Sequence, residues 1–195
     1  MCGIVGGIAE RNVTPILLEG LKRLEYRGYD SSGIALIDNE NRRLMRERSA
    51  GKIKNLESKL YDQSGKKEGF RGNVGIAHTR WATHGAPEEK NAHPHMCGDR
   101  LAVVHNGIIE NFAELKKEFR DKDYSFSSDT DTEVIAYSVY DNLKNSEDLF
   151  ESVKKSVETF EGAYALGVIS KDNPDTLIAA RKGVNTEIEF PEITG

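Results

Sequence analysis

The chain has 195 residues, of which 37% are hydrophobic and 30% charged, with a net charge of −5. That is an ordinary globular composition, large enough to bury a core and too acidic for a nucleic-acid footprint. The longest apolar runs fall far short of a membrane span, and no secretory signal opens the chain, so neither a membrane nor a nucleic-acid partner is expected.

In chain order, CGIVGGIA reads as a short buried strand. Thr14-Pro15 reads as a helix N-cap followed by a proline at the first helical position. Leu17, Leu21 and Leu24 repeat at helical spacing, and Gly28 is the expected C-terminal stop. GIALID and RLMRERS read as two strands around the polar turn Asp38 to Asn41. KIKNLESKLYD predicts a helix with Ile53, Leu56 and Leu60 inward, and DQSGKKEGFRGN a polar loop. NVGIAHTR predicts a strand running into WATHG, and APEEKNAHPHMCGD a long irregular segment. LAVVHN predicts a buried strand ending at the turn dipeptide Asn106-Gly107. Helices follow around NFAELKKEF, TDTEVIAYSVYDNL and EDLFESVKKSVETF. AYALGVIS and DTLIAAR close as a hairpin around Lys171 to Pro174. Hairpin-linked strands argue for antiparallel sheets with helices outside, an α+β fold rather than a parallel βαβ one.

Four stretches carry chemistry. Cys2 is a thiol directly behind the initiator methionine. A nucleophile needs a base, and a terminal α-amine, which titrates at roughly 8, can supply one. If Met1 is removed, Cys2 carries nucleophile and base together; read alone, it serves equally as a small residue opening a strand. In HTRWATHG, Arg80 offers a planar fork for a carboxylate, and Trp81, the only tryptophan, could wall a pocket. In HNGIIEN, the Asn106 amide and the Gly107 N–H could form an oxyanion hole. In SSDTDTE, Thr130 and Glu133 fit a capping box, with Asp131 in the first helical turn. Taken alone, that motif favours the cap over a ligand role.

His93, His95 and Cys97 form H-x-H-x-C with His84 upstream, but the spacing matches no standard zinc pattern, so no metal is expected. Two cysteines make no disulfide framework in a chain of this length, and with no export signal a reducing, cytoplasmic setting is expected.

Together and in this order, MCGIVG, RLEYRGYDSSGIA, GIAHTRWATHG, NAHPH, HNGIIEN and SDTDTE resemble the glutaminase domain of the glutamine–fructose-6-phosphate aminotransferase family, a class II (N-terminal nucleophile) glutamine amidotransferase. The likeness covers about residues 2 to 183. It implies a four-layer αββα sandwich of two mainly antiparallel sheets. It implies hydrolysis of L-glutamine to L-glutamate and ammonia, with no cofactor and no metal. The family loses its initiator methionine, and Cys2 matches its nucleophile. Asn106 and Gly107 match the oxyanion hole. Arg80 matches the carboxylate grip, and Asp131 the partner of the α-ammonium, so the ligand role overrides the cap. Thr83 and His84 match pocket residues acting partly through backbone atoms, and Trp81 an aromatic near the ammonia exit. Arg27 and the run Gly28 to Ser31 match a loop that closes over glutamine. In the family the ammonia aminates fructose 6-phosphate in sugar-isomerase domains of a homodimeric enzyme. Those domains are absent from this sequence, whose last twelve residues, 184–195, do not align. The rival readings are the glutaminase domain of an amidophosphoribosyltransferase and an unprocessed, inactive glutamine-binding form.

Overall fold

The computed structural model describes residues 2–61, 70–82, 85–146 and 148–184. The expected pocket residues Thr83 and His84, most of the polar loop after Tyr61, and the tail beyond Val184 lie outside them.

Two four-stranded sheets form the centre. The first, in the order β1-β4-β2-β3, comprises β1 (Gly3–Ile8), β4 (Val74–Arg80), β2 (Ser31–Asp38) and β3 (Arg43–Ala50). The second, in the order β5-β6-β7-β8, comprises β5 (His95–Cys97), β6 (Leu101–Ile109), β7 (Gly162–Ser170) and β8 (Asn173–Lys182). Every pairing among these strands is antiparallel.

Strand alternation explains the layers, because successive side chains leave opposite faces of a sheet. On β2, Ile34 and Leu36 join Leu17, Leu21, Ile53 and Leu56 of helices α1 (Thr14–Leu24) and α2 (Ile53–Leu60). Ala35 and Ile37 point the other way, into an apolar layer shared with Val74, Ile76, Ala102, Val104 and Ile169. On β6, Leu101 and Val103 face helices α3 (Phe112–Asp121), α4 (Thr132–Ser146) and α5 (Leu149–Thr159). The result is helices, sheet, sheet, helices, the four layers expected. Leu17 and Leu21 are fully buried, and truncating either to alanine would cost roughly 2–5 kcal/mol.

Four local expectations are corrected. Val13, not Thr14, is the N-cap of α1 and makes no side-chain cap bond. Asn12 takes over that duty: its Oδ1 accepts from the Thr14 N–H at 3.2 Å and the Thr14 hydroxyl at 2.8 Å. The helix ends at Leu24, and Gly28, at φ 71°, stops a further 3-10 turn over Glu25–Arg27. The β6 strand does not turn at Asn106-Gly107 but continues to Ile109, because Asn106 and Gly107 pair with Ala165 and Tyr164 of β7. The capping box also fails. Glu133 accepts from the Ser127 and Ser128 amides, while the Thr130 hydroxyl meets Ser128 and His95.

Candidate active site

The register of β1 on β4 decides where the N-terminus lies. Gly3 pairs with Thr79, so Cys2 arrives beside Arg80 and Trp81 at the end of the central strand. The Trp81 N–H donates to the Cys2 sulfur at 3.2 Å, and the thiol reaches the Trp81 carbonyl at 3.6 Å. Cys2 is thereby held at a rigid strand end instead of fraying.

Cys2, Arg80, Trp81, Gly107 and Asp131 line one pocket, completed by His93, His105 and Thr130. Five separate segments thus converge: the start of β1, the end of β4, the stretch before β5, β6, and the turn before α4.

Arg80 is buried, and its guanidinium is anchored on three sides. Nη1 bonds Asp30 Oδ1 at 3.4 Å and the Ala86 carbonyl at 3.3 Å, and Nη2 bonds the Gly85 carbonyl at 3.3 Å. Asp30 also accepts from the Ala82 N–H. Asn91, fully buried, donates to the Ala86 carbonyl at 3.0 Å and accepts from the Asp129 N–H at 2.9 Å, which ties these loops together.

Asp131 precedes α4. Its Oδ2 accepts from the Ile109 N–H at 2.9 Å, and its Oδ1 lies 3.6 Å from His105 Nδ1. Burial works to raise its pKa, but bonding from His105 and the Ile109 amide outweighs this and holds the carboxyl below its ordinary 3.8. A buried cation and an ionised acid sharing one pocket suit the two opposite charges of a free α-amino acid.

Gly107 has φ 115°, and a Cβ there would come within 2.1 Å of the Ala163 carbonyl, so no other residue fits. Asn106 is half-buried next to it, outside the pocket lining proper, with Oδ1 2.7 Å from His78 Nε2. Trp81 is 52% exposed at the rim and packs over Gly28, where a Cβ would meet the indole at 2.7 Å.

Arg27 is not brought into the pocket. It is exposed and stacks on Tyr26, with its guanidinium 5.6 Å from the ring centroid. The neighbouring run is pinned from both ends. The Tyr29 hydroxyl accepts from the Ile53 N–H at 2.7 Å and bonds Glu25, while Asp30 holds Arg80.

His78 and Asp30 were not singled out as anchors by the sequence. Residue parity was the available signal for His78. Val74 and Ile76 face the layer between the sheets, and His78 continues that row toward Arg80. Cys97 packs in the helix-side core, where burial pushes its thiol up to about 12. Among the described residues, no group of three or more His, Cys, Asp or Glu side chains is arranged to hold a metal ion.

A family model described as a glutamine amidotransferase domain matches residues 78–186. The glutamine–fructose-6-phosphate aminotransferase (isomerising) of Pseudomonas putida is 54% identical over 183 residues, covering 94% of this chain and 29% of that protein. That of Pseudomonas aeruginosa is 55% identical with the same coverage, and that of Neisseria meningitidis 51% identical over 185 residues. The chain spans less than a third of the length of these relatives. Among solved structures, the B. subtilis glutamine phosphoribosylpyrophosphate amidotransferase complexed with ADP and GMP superposes with a TM-score of 0.72 at 26% identity. It covers 93% of this chain and 37% of that one. A second, described as the allosteric regulatory enzyme of purine biosynthesis, gives 0.69 at 29% identity, with 92% and 36% covered. The family match takes in more than half of the chain, from His78 on β4 through the closing hairpin, and the chain belongs to the glutamine amidotransferase domain family.

Proposed function

We propose that the chain hydrolyses L-glutamine to L-glutamate and ammonia through a γ-glutamyl thioester on Cys2. The observation that carries this reading is the convergence of Cys2, Arg80, Gly107 and Asp131 on one pocket. Arg80 and Asp131 take the α-carboxylate and α-ammonium of free glutamine, the two charges a peptide-bound glutamine lacks. That places the side-chain amide at Cys2.

With Met1 removed, the Cys2 α-amine takes the thiol proton as sulfur attacks the amide carbon. The oxyanion so formed is met by the Gly107 N–H and the Asn106 amide. The tetrahedral centre collapses, the protonated amine returns its proton to the leaving nitrogen, and ammonia departs. Water, deprotonated by the same amine, then attacks the thioester carbon, releasing glutamate and the Cys2 thiol. A chain that keeps Met1 has this nitrogen locked in a peptide bond and lacks the base.

Residues 1–183 are the proposed glutaminase unit. The names of the relatives and the fraction of them that the chain spans support a place in a longer protein, which the resemblance implies is a homodimer. There the ammonia would aminate fructose 6-phosphate in sugar-isomerase domains. Identities of 54–55% to the aminotransferases, against 26–29% to the purine-pathway enzymes, favour this over a phosphoribosyl acceptor. No helix among the described residues is long and apolar enough to cross a membrane, and both cysteines are free thiols. Both facts are compatible with the proposed cytoplasmic setting.

The test is glutamate release from glutamine by the chain with Cys2 as its first residue. A glutamine-analogue electrophile should add its mass to the N-terminal peptide. Equal turnover by Cys2→Ala would overturn the mechanism.

A further inference from the structure

An asparagine amide can present either end to a site. Only Nδ2–H stabilises an oxyanion; Oδ1 in its place would repel one. A donor that fixes Oδ1 therefore decides whether Asn106 helps or hinders, and the structure contains one.

His78 on β4 and Asn106 on β6 continue the two rows of side chains that face each other between the sheets. Val74 and Ile76 precede His78, Ala102 and Val104 precede Asn106, and these four lie in the shared apolar layer. Where the layer turns polar, His78 Nε2 lies 2.7 Å from Asn106 Oδ1. We propose that His78 is the positioning residue of the oxyanion hole: its Nε2–H holds Oδ1 of Asn106 and leaves Nδ2 for the Cys2 side. This rests on the glutaminase reading above.

The tautomer follows from the surroundings. His78 Nδ1 is buried and has no hydrogen-bond partner among the described residues, so a proton there would be stranded, whereas on Nε2 it is used. His93 Nδ1 lies 3.3 Å from the same Nε2 and accepts as well. The His93 proton then belongs on its own Nε2, which donates to Thr132 Oγ1 at 2.8 Å. Each assignment agrees with the next. The ring of His78 is fully buried and packs on His93 at 4.3 Å between centroids, which leaves it little freedom to flip. Burial lowers the His78 pKa to about 3, so the ring stays neutral and keeps one donor and one acceptor throughout the working range.

The test uses the chain with Cys2 first. Heteronuclear NMR of ¹⁵N-labelled protein should report His78 as neutral with the proton on Nε2. An Nδ1–H tautomer overturns the proposal and needs no variant. In kinetics, His78→Leu should lower kcat for glutamine by about 10–100-fold, a fraction of what a lost oxyanion donor costs, with KM changed less than about threefold. His78→Gln, which keeps an N–H donor, should recover part of it. Asn106→Ala should mask His78→Leu, the double variant turning over no more slowly than Asn106→Ala alone. Multiplying effects would mean that His78 acts structurally, and wild-type kcat in His78→Leu would also overturn the inference. Those failures leave the glutaminase reading intact. Full activity in Asn106→Ala would remove the oxyanion role itself, and full activity in Cys2→Ala the reading on which everything rests.

Discussion

The backbone N–H of Trp81 points at the sulfur of Cys2 from 3.2 Å. A fixed donor at that distance orients the sulfur, and as backbone it survives substitution of the indole. Cys2 is thus held by strand pairing, not by side chains that a variant would disturb. Cys2→Ala should therefore abolish glutamate release while binding glutamine within about threefold of the parent. Calorimetry on the folded variant checks the second half, and a large loss of affinity would show that sulfur contributes to binding and not only to chemistry.

Arg80 is tied to Asp30 at 3.4 Å and to two carbonyls. A planar fork spread over three fixed acceptors cannot be replaced by a lysine point charge. Arg80→Lys should raise KM for glutamine by about 10–100-fold, the worth of a charge-assisted pair of roughly 1.5–3 kcal/mol. Asp30→Asn should raise KM by less, because the carbonyl anchors remain. Steady-state kinetics at saturating and limiting glutamine separates these KM effects from any change in kcat.

In the proposed reading, Asp131 is the residue that distinguishes glutamine from its analogue without the α-amine. Asp131→Asn should raise KM for glutamine by about 10–100-fold and leave the turnover of that analogue unchanged, since no ammonium is there to lose. The carboxyl is held below 3.8 in the fold, so glutamine recognition should not weaken as pH falls from 7 to 5. A KM that climbs over that interval, with the α-carboxylate of glutamine itself still ionised, would contradict the assignment.

Gly107 carries two demands at once. Its φ of 115° and the Ala163 carbonyl 2.1 Å from a built Cβ leave no room for a side chain. Gly107→Ala should destabilise the fold by roughly 2–4 kcal/mol through backbone strain and displacement of β7. Urea unfolding would show this as a lower midpoint with an unchanged slope. Gly98→Ala makes a control for backbone strain alone. It has a positive φ of 56° too, but nothing lies within 4 Å of its Cβ, so it should cost about 1 kcal/mol.

Much of this architecture is written in local pattern. The apolar runs GIALID and LAVVHN read as strands, and in the structure both faces of each are covered. Helical spacing places α1 and α2. What fails is local chemistry overridden by distant partners. Asn106-Gly107 has the composition of a turn, yet pairing with Ala165 and Tyr164 keeps it in strand. Thr130 and Glu133 have the spacing of a capping box, yet Ser127 and Ser128 offer Glu133 better donors. The β1–β4 register, which carries Cys2 to Arg80, joins residues 66 to 76 positions apart and leaves no local trace. The motifs therefore name five of the pocket residues, Cys2, Arg80, Trp81, Gly107 and Asp131, while His105 and the anchors Asp30 and His78 take their places only once the sheets are paired.

Those anchors give the fold an acid limit. His78, His93 and His95 are buried, and desolvation pushes all three below their ordinary 6.5, His78 to about 3. In the native state they are neutral; in the unfolded chain they take up protons as pH falls through about 6.5. The unfolded state then binds more protons, so stability drops with falling pH, and for His78 the loss continues to about 3. Each ring adds a slope approaching about 1.4 kcal/mol per pH unit within its window. Above 7 the three contribute no pH dependence. Urea unfolding from pH 8 to 5 should therefore be flat at first and fall steeply below about 6.5, with a shallower fall in His95→Asn. A constant unfolding free energy from pH 7.5 to 5 would mean that the rings are not buried neutral.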